Sequence, residues 1–417
     1  MTDDPRSFLT ALFNAAVARA DPMLCLAAHL PPKPKGRLIV IGAGKASARM
    51  GEALEGVYGP CEGLIITRYG YARPCAGIEI VEAAHPVPDA AGVAATQRLL
   101  DLVSDLGPDD QVIALISGGG SALLCAPAQG LTLDDKKAVN AALLASGMPI
   151  SQMNIVRKQV SAVKGGKLAA AVFPAKLLTL TISDVPGDDP SEIASGPTVG
   201  SRATPDMALG ALQQWKVALP DHITQVIANA PPPILPDDPR LVSAQTRIIA
   251  APAQSLAAAA ALAEGVEVRV LGDAIEGEAR DLGYAQAQMA MQIAAENHPL
   301  PILLLTGGEC TVTRRGNGIG GPNAEYVLAA GCALDGHARI HVLACDTDGV
   351  DGAAEVAGAY AGPDMLGLAQ KAGVRCLDAL ENNDAHGFFA KIDSQIITGP
   401  TLTNVNDFRA ILIMPRE

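Results

Sequence analysis

Two glycine loops and a scatter of cations are the residues of this chain best suited to hold an anion. Gly42-Ala43-Gly44-Lys45-Ala46-Ser47 follows the apolar run Leu38–Ile41 and opens a helical pattern. Backbone N–H groups at such a helix start, with the lysine beside them, suit a phosphate. The loop is not a Walker A motif, because Ala46 follows the lysine, and Ser47 replaces the third glycine of a dinucleotide fingerprint. Arg68, at the end of the next apolar run, would suit an NADP phosphate. Ser117-Gly118-Gly119-Gly120-Ser121 offers close backbone approach from three glycines, with hydroxyls on either side. Arg157, Lys158, Lys164 and Lys167 concentrate four cations in an otherwise acidic protein, able to neutralise phosphate or carboxylate.

Carboxylates gather in similar places. Asp184, Asp188, Glu309, Asp346, Asp348 and Asp351 each lie just beyond a strand pattern, where they could hold Mg²⁺ or act as a base. Asp348-Gly349 and Asp351-Gly352 are also ordinary turn dipeptides. His85 and His386 stand alone and read as structural residues. No Ser-His-Asp set or HExxH helix is visible.

The elements that must position these residues alternate short apolar runs with amphipathic ones, the pattern of an α/β chain with a mainly parallel sheet. Strands are expected at Leu38–Ile41, Leu64–Thr67, Ile78–Val81, Val112–Ile116 and Leu177–Ile182, and helices at Ala46–Leu54, Ala90–Val103, Leu133–Ser146 and Val160–Val172. Proline density rises from Pro231 to Pro239 and periodicity lapses, which marks a boundary. Strand patterns then resume at Arg247–Ala250, Val266–Leu271, Ile302–Leu305, Ile340–Ala344, Ile396–Thr398 and Ala410–Met414. Two α/β domains are therefore expected, residues 1–240 and 241–417. Six strand ends carry polar or glycine clusters, Thr398-Gly399-Pro400-Thr401 being the last, and six at equivalent ends suggest a shared site.

Composition narrows the function classes. In 417 residues, 31 Lys and Arg face 44 Asp and Glu, a net charge of −13 that argues against nucleic-acid or anionic-membrane surfaces. Aromatics make up only 3%, too few for base-stacking platforms. Met1-Thr2-Asp3-Asp4-Pro5 has acids where a signal peptide needs bases, and the uncharged Val112–Leu133 stretch is broken by its glycines and Pro127. Eight scattered cysteines without a CxxC pair read as reduced thiols. A cytoplasmic protein without membrane or nucleic-acid partners is expected.

The ordered motifs resemble the glycerate 2-kinases of the MOFRL type, some of which carry a hydroxypyruvate reductase label. Similarity runs from Gly42–Ala46 to Thr403-Asn404-Val405-Asn406-Asp407 and includes Ala84-His85-Pro86-Val87-Pro88-Asp89, Ser117–Ala122, Ser183–Asp188 with Ile193–Thr198, Leu271-Gly272-Asp273 with Glu276–Arg280, Gly307-Gly308-Glu309, Thr347–Gly352 and Thr398–Thr401. The resemblance implies a Rossmann-like three-layer N-terminal domain and a smaller C-terminal α/β (MOFRL) domain, with the active site in a cleft between them. It also implies ATP and Mg²⁺, transfer to the 2-hydroxyl of D-glycerate, and leaves a homodimer open. On this reading Lys45, Asp184 and Asp351 are catalytic. Gly42, Gly44, Ser117, Gly118, Gly119, Gly120, Ser121, Arg157, Lys158, Lys164, Ser195, Gly196, Thr198, Asn323, Glu325, Asp348 and Thr398 bind substrate or nucleotide, and Asp188 and Glu309 take the metal. Family members often show Gly-Gly-Arg-Asn-Gln-Glu where this chain has Gly320-Gly321-Pro322-Asn323-Ala324-Glu325, and Gln159 stands where a histidine is expected. The competing readings are an NAD(P)H-dependent hydroxypyruvate reductase, resting on the partial fingerprint and Arg68, and a non-catalytic binding regulator, for which no partner module is visible.

Overall fold

The structure, a computed structural model, describes residues 4–296, 298–352 and 354–416. Met1-Thr2-Asp3, part of the stretch weighed as a signal peptide, lies outside the described residues. The chain forms two compact units, one of residues 22–249 and one of residues 1–21 with 250–417. The N-terminal residues thus correct the expected division at 240/241. The helix Pro5–Ala20 buries Phe8, Leu9, Leu12, Phe13 and Ala16 in the second unit, against Leu303, Leu343 and Leu412. Asp4 caps this helix by accepting the Ser7 N–H, and Pro5 sits in its first turn.

The first unit is built on a six-stranded sheet of β1 (Leu38–Ala43), β2 (Glu62–Arg68), β3 (Ile78–Ala83), β4 (Gln111–Ile116), β5 (Lys176–Ile182) and β6 (Ala244–Ala250), in the order β3-β2-β1-β4-β5-β6. The pairs β3/β2, β2/β1, β1/β4 and β4/β5 are parallel. Their continuous apolar runs follow from burial on both faces. Ile39, Ile41 and Ala43 pack on one face with Leu99 of the helix Ala90–Leu102. Helix Ser47–Tyr58 covers the other face, where Gly51 comes against Ile65. A separate apolar cluster ties together helices 133–145, 150–159, 205–214 and 221–228.

Of the helix expected at Val160–Val172 only the part from Lys167 onward forms. The preceding helix, Ile150–Gln159, stops just before the expected start, and Gly165 and Gly166, at φ +63° and +81°, separate it from Lys167–Val172. The apolar periodicity of 160–172 misled because two left-handed residues in succession cannot continue an α-helix.

The second unit's main sheet contains β7 (Glu267–Gly272), β9 (Ile302–Gly308), β11 (Ile340–Asp346), β12 (Gly358–Ala361), β13 (Gln395–Ile396) and β14 (Asp407–Ile413), ordered β13-β12-β11-β14-β9-β7; β8 (Gly277–Glu278) and β10 (Cys310–Thr311) form a small parallel pair. Among the described residues, only β7/β9 is a parallel pair of the main sheet. The strand-end rule therefore does not transfer directly. One edge collects the C-terminal ends of β9 and β11 beside the start of β14, through Gly308↔Asp407 and Asp346↔Asp407. The last strand begins three residues before the expected Ala410, and β13 stops at Ile396, so Thr398 lies beyond it.

Candidate active site

In the first unit the sheet order reverses at β1: β2 lies to one side and β4 to the other. Loops leaving two such neighbours diverge and open a crevice at their C-terminal ends. Gly42–Lys45 and Ser117–Ser121 are those loops. They are bonded to each other, Lys45 N–H donating to the Gly118 carbonyl at 2.8 Å and Ser117 N–H to the Ala43 carbonyl at 3.2 Å. The Ser117 hydroxyl accepts the Ala46 N–H at 3.0 Å and meets Ser47 Oγ at 3.1 Å, so it fastens the loop to the helix start. A Cβ at Gly44, φ +144°, would lie 2.1 Å from Ser117 Oγ, which explains the glycine. At Gly119, φ +79°, it would come to 3.0 Å from the His85 ring and 3.3 Å from Lys45 Cγ. His85, Gly119 and Lys45 therefore meet at one point of the crevice.

The cations join from the helical side. Lys164, 2% exposed, donates to the Ser121 carbonyl at 2.7 Å and to Ser121 Oγ at 3.2 Å. Ser121 Oγ meets Ser195 Oγ at 2.9 Å, and Ser195 donates to Asn154 Oδ1 at 3.0 Å. Asn154 and Lys158 both hold Glu192, at 2.5 and 3.2 Å. Gly165 and Gly166 N–H groups donate to the Ser195 and Gly196 carbonyls, so the expected Gly196 serves as a backbone clasp, and Thr198 is buried close by in sequence. Lys158 is thus spent on an internal ion pair, whereas Lys164 and Arg157 line a pocket of about 240 Å³ with His85, Gly119, Ser121 and Lys136. Burial pulls Lys164 well below its ordinary value, with Lys136 adding repulsion; burial likewise lowers Lys136 and Arg157. Lys167, held to about 8 by burial, donates instead to the Lys158 and Ser161 carbonyls.

Asp184 and Asp188 follow β5 on the same sheet edge, since Ile116 of β4 pairs with Thr181. Asp188 sits at φ +55°, and its Oδ1 is buried with no hydrogen-bond partner. Among the described residues no group of three or more His, Cys, Asp or Glu side chains is placed to hold a metal ion.

In the second unit the expected residues do different work. Asp351 is fully buried, and its carboxylate accepts the N–H groups of Asn323 (2.9 Å) and Ala324 (2.8 Å), with His386 Nε2 at 3.0 Å. From outside the helix it caps the start of Pro322–Leu334, and both of its oxygens are engaged there. Asn323 bridges from Asp351 to Asp407, 2.6 Å away. Glu325, 1% exposed, is bound by Arg280 at 2.7 Å and by Asn383 at 2.9 Å. Asp348 accepts the Val350 N–H in a turn, and exposed Thr398 donates to the Gly399 carbonyl. Glu309 is exposed and belongs to a different unit from Asp188, its expected metal partner. Pro322 occupies the first turn of its helix and lines a pocket of about 230 Å³ with Arg314, Gly320 and Gly352. Gln159 donates to the Ala203 carbonyl inside the first unit.

The pocket also gathers His85, which the sequence reads as structural, and Lys136 and Asn140, with Asn154 and Glu192 beside it, none of which the sequence singles out as a site residue. His85 had a signal, since it opens the distinctive Ala84–Asp89 motif. Lys136, Asn140 and Asn154 lie on helices and Glu192 in a turn, and their partners arrive from distant segments.

Comparison with known proteins decides the family. A family model described only as a domain of unknown function, DUF4147, matches residues 8–228, and the MOFRL family matches residues 302–407. A D-glycerate 2-kinase from Thermotoga maritima is 36% identical over 92% of this chain and 93% of its own. The crystal structure of a glycerate kinase from that organism superimposes with a TM-score of 0.88 at 33% identity, covering 99% of this chain and all of the other. The chain belongs to the MOFRL-type glycerate kinases. A protein from Agrobacterium vitis, provisionally named as a hydroxypyruvate reductase, is 50% identical over 91% of this chain and 100% of its own, so both names occur around this member of the kinase family. No helix among the described residues is long and apolar enough to cross a membrane.

Proposed function

We propose that this kinase moves the γ-phosphoryl group of ATP onto the 2-hydroxyl of D-glycerate, yielding ADP and 2-phosphoglycerate. The observation that carries the reading is uncompensated charge in the pocket of the first unit. Lys136, Arg157 and Lys164 line it, burial weakens the protonation of all three, and among the described residues no carboxylate forms an ion pair with them. A bound anion relieves that cost, because its opposite charge replaces the hydration that burial removed. The carboxylate of a small hydroxy acid would be that anion, leaving its neighbouring 2-hydroxyl nearest the phosphoryl donor. Proximity then selects the hydroxyl, since misplacement by ~1 Å can cost ~10²-fold.

Lys45 and the N–H groups of the Ser117–Ser121 loop supply the donors a transferring phosphoryl group needs. The residues present also fit Mg²⁺. Asp188 offers a buried oxygen without a partner, Asp184 is half-buried on the same loop, and Mg²⁺ asks for only one or two carboxylates beside phosphate and water. Bound there, Mg²⁺ would neutralise phosphate charge. His85 and Asp184 are the groups at this edge able to accept the hydroxyl proton as the O–P bond forms.

The reductase reading rests on the partial fingerprint and Arg68, whose guanidinium instead lies 4.6 Å above the Tyr71 ring. One experiment separates the two. With ATP, Mg²⁺ and D-glycerate, adding enolase alone should give phosphoenolpyruvate absorbance at once. ADP without that absorbance would assign another hydroxyl or acceptor. No ADP, together with NADPH oxidation by hydroxypyruvate, would overturn the kinase assignment for this substrate.

A further inference from the structure

A second cavity of the first unit lies across the segment 159–162 from the pocket of Lys136, Arg157 and Lys164. Its volume is about 590 Å³, against about 240 Å³ for that pocket, and the two share no lining residue. Val160 lines the smaller one, whereas Gln159, Ser161 and Ala162 line the larger. Backbone bonds hold this wall in place, Ala128 N–H donating to the Val160 carbonyl at 3.1 Å and Ala162 N–H to the Ala126 carbonyl at 3.0 Å.

The larger cavity carries a cation that its surroundings do not balance. Lys167 lines it and donates to the Lys158 carbonyl at 2.7 Å and the Ser161 carbonyl at 2.5 Å, while an ammonium has three N–H groups to give. Among the described residues Lys167 forms no ion pair, and no Asp or Glu lines the cavity. Burial, with Lys136 adding repulsion, holds this ammonium down to about 8. The exposed His222 also lines the cavity, and its Nε2 lies 2.8 Å from Asp135 Oδ1. The other oxygen of Asp135 accepts the Thr132 N–H and hydroxyl, so that carboxylate is occupied and does not serve Lys167.

The neutral side chains here have acceptors to spare. Gln159 spends an amide N–H on the Ala203 carbonyl at 2.7 Å, and Asn229 spends one on the Gln225 carbonyl at 2.8 Å, which leaves both amide oxygens unspent. The Ser161 oxygen accepts the Val163 N–H at 3.3 Å and keeps its own O–H to donate. Amide oxygens beside a lone cation match hydroxyl groups and an anionic head carried by one molecule.

We propose that this cavity is a second small-molecule site, taking a polyhydroxylated carbon chain that bears one carboxylate or phosphate. Lys167 holds the anionic head, Ser161 and the amide oxygens of Gln159 and Asn229 take hydroxyls, and Val226 and Pro231 pack against the carbon chain. The volume suits a ligand larger than D-glycerate. Occupancy of this cavity does not depend on which substrate the kinase uses.

Calorimetric titration of the full-length protein with D-gluconate and with D-glucose 6-phosphate tells the two head groups apart, and sorbitol supplies the hydroxyls without the charge. One or both anions should bind at one equivalent, about 10-fold or more tighter than sorbitol, the scale of a charge-assisted hydrogen bond. Lys167→Met should weaken the anion by a similar factor. Because Lys167 also supports two backbone carbonyls, Gln225→Glu is the second variant: Gln225 lines the cavity and is exposed, so a carboxylate there competes for the ammonium without disturbing the core. Arg157→Gln, which alters the smaller pocket, should leave the affinity unchanged. Binding lost in Arg157→Gln but kept in Gln225→Glu would place the anion in the smaller pocket and overturn the proposal. Sorbitol binding as tightly as the anions, or no binding of either anion at millimolar concentration, would overturn it as well.

Discussion

The two units present similar residue types at their strand ends and use them in opposite ways. In the first unit Lys136, Arg157 and Lys164 line a pocket without forming an ion pair among the described residues, their hydrogen bonds going to Ser121, to backbone carbonyls and to the amide oxygens of Asn140 and Asn154. In the second, Asp351, Asn323, Glu325 and Asp407 are engaged with helix N–H groups, His386, Arg280 and one another. A cluster with charge left over favours a ligand, and a cluster whose hydrogen bonds close on themselves holds a fold together. The difference teaches that residue type and position at a strand end are not enough to identify a site. Accounting for partners decides which acids and bases remain available.

The largest effect expected from this contrast is kinetic. Lys45→Ala removes the cationic side chain whose Cγ lies beside Gly119 at the crevice, with no change to the buried core. Its kcat should fall about 10²-fold or more while the unfolding midpoint stays near that of the parent, the scale of losing an electrostatic partner of the transition state. A folded Lys45→Ala enzyme of near-normal kcat would remove the first unit's claim to the chemistry.

Asp351→Ala should do the reverse. It deletes a cap on the helix Pro322–Leu334 and leaves the Asn323 and Ala324 N–H groups and His386 without their acceptor in a buried setting. About 3 kcal/mol of stability should be lost in urea unfolding, with kcat of the folded fraction little changed. If stability held and kcat collapsed, the carboxylate would return to the list of reacting groups.

A smaller effect should follow from Gly119→Val, which places a side chain at φ +79° and against the His85 ring. Strain and crowding should cost about 1–3 kcal/mol. More tellingly, the rise in melting temperature caused by ATP with D-glycerate should disappear. A variant that keeps the full shift would show that the loop touches neither ligand.

The layout of the first unit was legible because its strands are buried on both faces and so read as unbroken apolar runs. Every expected strand from Leu38 to Ile182 lies within an observed one. The glycine loops were legible too, since Gly44 and Gly119 are required by positive φ and close approach. What escaped the sequence were relations between distant segments. The helix Pro5–Ala20 completes a core whose other members lie beyond residue 250, so position in the chain misassigned it. Asp351 looked available because the N–H groups that occupy it come from the start of a helix 28 residues earlier in sequence. Lys158 and Lys164, close in sequence and alike in type, part company only through Glu192, which reaches one of them.

The smallest expected effect concerns pH, and it falls on the second unit. Asp407 is buried, and that burial, reinforced by Asp351 and opposed by Arg409 and Asn323, pushes its carboxyl up to about 7. An unfolded Asp titrates near 3.9. Between about pH 4 and pH 7 the folded state therefore keeps a proton that the unfolded state has released. Protonation favours folding across that window, so Asp407's contribution is fully present below about pH 4 and is lost as pH rises through 7. Asp135 and Asp238, held down to about 2 by their hydrogen bonds, work in the opposite direction, losing their contribution as pH falls from about 4 to 2. The two windows do not overlap, which lets one variant isolate the buried acid. Asp407→Asn, which cannot ionise, should be less stable overall because its amide faces the Cys310 N–H or the Asn323 amide. Its stability should nevertheless decline less between pH 4.5 and pH 7.5 than that of the parent. Urea midpoints at several pH values across that range measure the slope directly. Equal slopes in parent and variant would mean that Asp407 is ionised throughout, and that the second unit, like the first, carries charge its own structure has not neutralised.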